Sequence, residues 1–176
     1  MPLIDPARAL LLVIDIQVRL MPAITDGAGV IANTNRLVAA ARLLDVPALF
    51  TEQNAGGLGP TVPDLTPGPE AVFPKMSFGA VQAPGFLDRL GGRDLVVAGC
   101  EAHICVLQTV LGLREVGQRA YVVADAVGSR RTENRDAGLA RMAAHGAEIV
   151  TTEMVVFEWL GTARHPCFRE AVKLIK

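Results

Sequence analysis

A chain of 176 residues, 51% hydrophobic but only 5% aromatic, is long enough to form one domain around an aliphatic core. Its net charge of −1 argues against a nucleic-acid-binding protein, and its apolar runs are far shorter than the roughly 20 residues that span a bilayer. The first apolar run is also too short for a signal peptide, and three cysteines cannot close a full disulfide framework. We therefore expect one cytoplasmic domain over residues 1–176, with no membrane or nucleic-acid partner.

Short apolar runs alternate along the chain with segments of helical periodicity. Strands separated by helices in this way predict an α/β fold: a three-layer, doubly wound, six-stranded parallel sheet of order 3-2-1-4-5-6 with helices on both faces. Thr132 is the expected N-cap of the helix that it begins. In chain order, the pattern predicts strand 10–14, helix 31–44, strands 47–51, 71–73 and 94–99, helix 103–116, strand 119–124, helix 132–145, strand 147–151, and helices 153–160 and 166–174.

Residues 53–70 interrupt this alternation. The segment holds four glycines and four prolines and shows neither helical nor strand periodicity. Structureless loops longer than about 12–15 residues are uncommon in compact domains and often serve as lids or binding loops. A mobile surface loop is one interpretation, but the prolines favour an ordered loop over a site or a subunit contact.

The predicted topology indicates where a ligand would bind. In open α/β sheets, ligands lie beyond the carboxyl ends of the strands, at the point where the strand order reverses. Asp15 ends the first strand, and residues 99–105 follow the fourth. The sequence therefore predicts a cavity between these two segments.

Cys105 lies near the start of the helix that follows the fourth strand. A helix N-terminus offers free N–H groups and partial positive charge, which stabilise a thiolate and an oxyanion. On this basis we expect the pKa of Cys105 to be below the value of about 8.5 for a free thiol. A buried structural cysteine is an equally good interpretation of this residue taken alone.

Taken alone, Lys75 is most simply a solvated surface cation, and Asp15 is most simply a turn-forming or helix-capping residue. The sequence around Lys75 is apolar, however, with Phe73, Met76 and Phe78 nearby. An ammonium drawn into such surroundings needs a carboxylate partner, and Asp15 is the obvious candidate.

The remaining polar candidates stay open. His103 is two residues before Cys105 and is either a base for it or a polar residue that lines the pocket or a subunit contact. Arg130 and Arg131 follow the fifth strand and either bind a substrate carboxylate or lie on the surface or at an interface. A flavodoxin-like nucleotide binder is disfavoured because no glycine-rich phosphate motif follows the first strand.

The Asp in LLVIDIQ, the Lys in FPKMSFGA and the Cys in VVAGCEAHICVLQT resemble, in order and spacing, the isochorismatase-like cysteine hydrolases. Within that superfamily the chain is most similar to the isochorismatase domain-containing proteins. The segments TEQNAGGLGPTVPDL, VVADAVGSR and HPCFREAVKLIK extend the resemblance over essentially the whole chain.

The resemblance implies a catalytic triad of Asp15, Lys75 and Cys105. Cys105 would attack an amide-like or related carbonyl carbon, pass through a thioester and release an acid. The oxyanion hole would consist of the backbone N–H groups of Glu101 and Cys105, after a cis peptide between Cys100 and Glu101. Gln17 and Phe78 would line the substrate pocket with His103.

The resemblance also has limits. Metal-containing nicotinamidases of this superfamily carry an Asp and several His residues after the second strand, where this chain reads TEQNAGGLGP. The histidines His103, His145 and His165 show no ligand spacing, so we predict no metal and no cofactor. Cys105 favours amidase-type chemistry on a small molecule over vinyl ether cleavage.

Members of the superfamily are usually dimers or larger assemblies, so we expect a homo-oligomer. The alternative to an active hydrolase is a catalytically dormant family member that acts as a scaffold or interaction protein. Neither the physiological substrate nor the number of subunits follows from the sequence.

Overall fold

The computed structural model describes residues 3–176 and is built on a six-stranded sheet in which every neighbouring pair is parallel. The strand order is β3-β2-β1-β4-β5-β6, which confirms the predicted α/β fold class and the predicted order. The strands are β1 (Ala9–Ile14), β2 (Ala48–Gln53), β3 (Val72–Lys75), β4 (Asp94–Cys100), β5 (Ala120–Gly128) and β6 (Glu148–Val150).

Helices cover both faces of the sheet because successive strand residues point to opposite sides. Leu11 and Val13 of β1 pack into one core with α1, α5 and α6, and Leu10 and Leu12 pack into the other with α3 and α4. The helices are α1 (Gly27–Leu43), α2 (Ala55–Leu58), α3 (Leu107–Glu115), α4 (Thr132–Ala144), α5 (Thr152–Leu160) and α6 (Phe168–Leu174), with 3₁₀ turns at Met21–Ala23, Pro69–Ala71 and Leu87–Leu90 and a π-helical turn at Ala102–Val106.

The predicted helix starts at 31, 103, 153 and 166 differ from the observed starts, which are Gly27, Leu107, Thr152 and Phe168. Helix α1 begins at Gly27 rather than at residue 31, because the Asp26 side chain accepts a hydrogen bond from the Gly29 N–H at 3.3 Å and caps the helix. Thr132 is not an N-cap: it is the first helical residue of α4, and Arg131 precedes it without a capping side-chain hydrogen bond.

The segment over residues 53–70 is ordered, as the prolines suggested, and it contains regular secondary structure that the sequence pattern did not predict. Strand β2 extends to Gln53, and the short helix α2 follows it. Backbone hydrogen bonds from Val18 to Pro60 and from Arg19 to Leu58, each 3.0 Å long, attach the segment to the turn after β1. The segment therefore lies over the carboxyl end of β1.

None of the helices in residues 3–176 is long and apolar enough to cross a bilayer.

Candidate active site

Asp15 occupies the turn directly after β1 and is fully buried. Its backbone lies in the left-handed region, with φ at 50°. One carboxylate oxygen, Oδ2, lies 2.6 Å from Lys75 Nζ, and the other, Oδ1, accepts a hydrogen bond from Thr51 Oγ1 at 2.6 Å. Both oxygens are therefore held, and the carboxylate has a fixed orientation.

Lys75 ends β3, and its side chain is also completely buried. Besides the bond to Asp15, its ammonium donates to the carbonyl oxygens of Phe78 at 3.0 Å and Ser77 at 3.2 Å. The three N–H donors of the ammonium thus have partners, as a buried cation requires. The expected ion pair between Lys75 and Asp15 is present.

Cys105 lies in the π-helical turn between β4 and α3, and 8% of its surface is exposed. Burial raises the pKa of the thiol to about 12, and the negative charge of Asp15 adds to the increase. Lys75 acts in the opposite direction, and Asp15 also forms a hydrogen bond with the thiol. The structure therefore brings all three predicted residues together.

The predicted low pKa of Cys105 is wrong for a physical reason. Cys105 precedes the first α-helical residue, Leu107, and is buried within the π-helical turn instead of lying at an open helix start. Loss of water and the nearby Asp15 carboxylate both penalise the thiolate, and together they outweigh the favourable groups around it.

The peptide bond between Cys100 and Glu101 is cis, as predicted. The Glu101 N–H donates a hydrogen bond to the Cys105 sulfur and lowers its pKa. Among the described residues, the Glu101 carbonyl accepts hydrogen bonds from Ile104 at 3.0 Å and Val106 at 3.2 Å, the residues on either side of Cys105.

Gly99 allows this turn to approach Asp15, a role that sequence reasoning missed. Its φ is 129°, and an added Cβ would lie 2.0 Å from the Ile14 carbonyl oxygen. Only glycine fits there, because a larger residue would meet the backbone at the end of β1.

The three predicted pocket residues lie in different environments. Gln17 is fully buried, and its amide bonds the backbone of Gln53 and the carbonyl of Gly59, so it anchors the 53–70 segment. Phe78 is 54% exposed, and His103 Nδ1 lies 3.0 Å from Ser129 Oγ. The polar groups of Gln17 and His103 thus already have protein partners.

A cleft with a volume of about 490 Å³ lies beside Lys75. Of the three predicted catalytic residues, Lys75 lines this cleft, and Asp15 and Cys105 do not. Its walls are mainly apolar, and Glu52 contributes a carboxylate to them. Glu52 Oε1 accepts hydrogen bonds from the backbone N–H and the hydroxyl of Thr61. The lining residues are Glu52, Ala55, Phe73, Pro74, Lys75, Met76, Ser77, Gln82, Ala83 and Pro84.

Within residues 3–176, no group of three or more His, Cys, Asp or Glu side chains is arranged to hold a metal ion.

Comparison with known proteins decides the family. The sequence model of the isochorismatase domain matches residues 9–154. The chain belongs to the isochorismatase family. The resemblance noted in the sequence is thereby confirmed, whereas a single domain over residues 1–176 stays a prediction.

One relative and two solved structures illustrate this similarity. Isochorismatase domain-containing protein 2A of Mus musculus is 36% identical over 175 residues, which cover 97% of this chain and 84% of the relative. The structure of MAR1 ribonuclease from Caenorhabditis elegans has a TM-score of 0.91 at 36% identity and covers 98% of this chain and 91% of that one. YcaC from Pseudomonas aeruginosa, with hexane-2,5-diol and covalent acrylamide, has a TM-score of 0.85 at 26% identity, with coverage of 99% and 96%.

Proposed function

We propose that this isochorismatase-family protein is a hydrolase that uses Cys105 as a nucleophile on a small amide-like or related carbonyl substrate. The observation that carries the proposal is the buried Lys75–Asp15 pair in contact with the Cys105 thiol. A nucleophile, a base within hydrogen-bonding reach and a third group that orients the base are the parts that covalent catalysis requires.

The reaction would begin from a neutral thiol, since the pKa of Cys105 is raised to about 12. Asp15 takes the thiol proton while the sulfur bonds to the carbonyl carbon, and Lys75 keeps the carboxylate in place. The tetrahedral intermediate expels the amine, which takes the proton from Asp15, and a thioester remains on Cys105. Asp15 then takes a proton from water, and the hydroxide equivalent displaces the sulfur to form the acid. Asp15 returns its proton to the departing sulfur, which restores the Cys105 thiol.

The oxyanion hole belongs to this proposal. The backbone N–H groups of Glu101 and Cys105 would donate to the carbonyl oxygen as it becomes negative. The hydrogen bond from the Glu101 N–H to the Cys105 sulfur supports this assignment, because it places that donor beside the attacking atom.

The cleft beside Lys75 favours a neutral substrate over an anionic one. Its apolar walls suit an aliphatic or aromatic group, and the Glu52 carboxylate disfavours an acid. The ammonium of Lys75 is already occupied by Asp15 and two carbonyl groups, so it offers little to a substrate carboxylate.

A covalently bound acrylamide in the Pseudomonas aeruginosa YcaC structure agrees with nucleophilic chemistry in the family. Acrylamide is an electrophile that thiols attack. The Caenorhabditis elegans relative named a ribonuclease raises RNA as an alternative substrate. The net charge of −1 and the mainly apolar cleft with its Glu52 carboxylate favour a small neutral molecule over RNA.

We also propose a cytoplasmic homo-oligomer. Met76 and Phe78, on the segment that follows Lys75, are 72% and 54% exposed, and large exposed apolar side chains favour contacts between subunits.

The test is hydrolysis of a panel of small neutral amides and imides, followed by mass spectrometry, with wild type and Cys105→Ala compared. We expect hydrolysis of at least one compound by wild type and none by the variant. If wild type hydrolyses nothing in the panel and Cys105 does not react with thiol reagents, the dormant scaffold becomes the better interpretation. Cleavage of labelled RNA that survives in Cys105→Ala would instead support the ribonuclease alternative.

A further inference from the structure

We propose that the ion pair between Glu101 and Arg130 positions the backbone N–H groups that donate hydrogen bonds to the oxyanion. This inference rests on the proposed function. It assigns a role to two side chains that the triad does not use.

The contact between the two residues is extensive. The Arg130 backbone N–H donates to Glu101 Oε2 at 2.9 Å. The guanidinium Nε lies 3.1 Å from both carboxylate oxygens. The Glu101 side chain is only 6% exposed, whereas that of Arg130 is 58% exposed. Glu101 is thus a buried carboxylate whose charge is balanced from the solvent side by Arg130.

Further contacts join the same two turns of the chain. His103, in the turn after β4, lies 3.0 Å from the Ser129 hydroxyl through its Nδ1. Thr25 donates its backbone N–H to the Ser129 carbonyl at 3.0 Å and its hydroxyl to the Arg130 carbonyl at 2.9 Å. The side chains of the turn that carries the Glu101 N–H therefore contact the turn after β5. Thr25 in turn holds that second turn in place.

This connection matters because an oxyanion hole works only if its donors have the correct position in advance. Donors should lie 2.7–3.1 Å, as a general range, from the oxygen of the intermediate, and removal of one donor costs about 10²–10³ in rate. Arg130 also neutralises the Glu101 carboxylate, which would otherwise oppose negative charge that develops nearby. Loss of the guanidinium should therefore weaken oxyanion stabilisation while the thiol and Asp15 remain in place.

Two reagents that react with Cys105 separate these effects. p-Nitrophenyl acetate acylates the sulfur: the S–C bond forms, an oxyanion develops, and p-nitrophenolate leaves. Iodoacetamide alkylates the same sulfur by displacement of iodide, with no oxyanion. The ratio of the two rate constants at Cys105, located by peptide mass spectrometry, therefore reports the oxyanion hole separately from the thiol.

The variants are Arg130→Ala, Arg130→Lys and the matched control Arg131→Ala. Arg131 is the next residue, and its 74% exposed side chain lies 3.8 Å from the exposed carboxylate of Glu133. We expect Arg130→Ala to lower acylation about tenfold or more while alkylation changes by less than about threefold. Arg130→Lys should recover part of the loss, since it restores the charge but not the planar donor group. Arg131→Ala should match wild type.

Equal changes in acylation and alkylation in Arg130→Ala, or the same change in Arg131→Ala, would overturn the positioning role. So would an unchanged acylation rate in Arg130→Ala. Failure of a different kind would be seen in wild type: if Cys105 is alkylated but never acylated, the proposed hydrolase chemistry fails and the positioning role fails with it. Thermal unfolding of each variant identifies a loss of folding, and Arg130→Lys provides the test if Arg130→Ala does not fold.

Discussion

Two buried cysteines, five residues apart in sequence, have similarly raised pKa values but different surroundings. Cys100 ends β4 and faces the core formed with α1, and Cys105 faces the opposite core formed with α3. Burial raises the pKa of each thiol to about 12. Burial alone therefore does not distinguish the proposed nucleophile, Cys105, from Cys100.

The difference lies in the groups that contact the sulfur. The Cys100 sulfur accepts a hydrogen bond from the Gly128 N–H, and Asp15 acts on it only through its charge. The Cys105 sulfur has Asp15 as a hydrogen-bonding partner and Lys75 as a nearby cation. Under the proposed mechanism, a protonated thiol serves as the nucleophile because a base in contact with it can take its proton.

Removal of each sulfur gives the largest expected contrast. Cys105→Ala should lower p-nitrophenyl acetate turnover by on the order of 10⁴-fold or more, because the nucleophile is lost. Cys100→Ala should keep turnover near the wild-type value, since its sulfur has no base in contact. Steady-state assays of the two variants decide the point, and equal losses in both would remove the distinction between them.

Asp15→Asn should have opposite effects on the catalytic turnover at Cys105 and on its rate of alkylation. Turnover of the ester should fall about 10²–10⁴-fold because the general base is lost. The pKa of Cys105 should fall below about 12, because the Asp15 charge and hydrogen bond raise it in wild type. Iodoacetamide alkylation at mildly alkaline pH should therefore become faster. Slower alkylation in this variant would contradict the electrostatic account.

Lys75→Met tests the buried pair through stability. Removal of one partner leaves the buried Asp15 carboxylate unpaired, which should lower the free energy of unfolding by about 3–5 kcal/mol. Lys173→Met, at an exposed position of α6, should change it by less than about 0.5 kcal/mol. Urea denaturation measures both. The double variant Asp15→Asn/Lys75→Met should recover much of the loss, and a double variant as unstable as the sum of the two single changes would argue against the pair.

Thr51 offers a smaller test of how Asp15 is held. Thr51→Val removes the hydroxyl that donates to Asp15 Oδ1 and should cost about 1–3 kcal/mol of stability. Turnover should fall roughly tenfold as the carboxylate loses its fixed orientation. Thr51→Ser keeps the hydroxyl and should retain most of the wild-type rate, so an equal loss in both variants would point to packing instead.

The weakest expected effect concerns the charge of the cleft. Cationic and anionic methanethiosulfonate reagents should modify Cys105 at different rates, with the cation favoured by Glu52. Glu52→Gln should lower the cation-to-anion rate ratio roughly two- to fivefold. Glu153→Gln, an exposed change on α5, should leave the ratio unchanged. An unaltered ratio in Glu52→Gln would separate the cleft from the route to Cys105.

The fold and the Asp15–Lys75 pair were predictable because both depend on patterns that are visible along the chain. Apolar runs separated by helical periodicity specify a doubly wound sheet, and the carboxyl ends of adjacent strands must meet at one edge. A lysine in apolar surroundings needs a carboxylate, which leaves Asp15 as the natural partner.

Other features depend on tertiary contacts that no local pattern contains. The π-helical turn around Cys105 has no distinct periodicity, so the sequence indicated an ordinary helix start and a low pKa. Thr51 reads as one more strand residue, although its hydroxyl orients Asp15. The Gln17 amide was expected to line the pocket, but it bonds the backbone of the 53–70 segment, whose position could not be known beforehand.

The most direct test of the nucleophilic role is to trap the acyl intermediate. Wild-type protein would be mixed with p-nitrophenyl acetate near neutral pH, quenched in acid at short times, and mapped by peptide mass spectrometry. The account predicts a transient acetyl group on Cys105 that appears with the p-nitrophenolate burst and then disappears, with Cys100 unmodified. Acetylation absent from Cys105, or equally present on Cys167 and stable there, would contradict it.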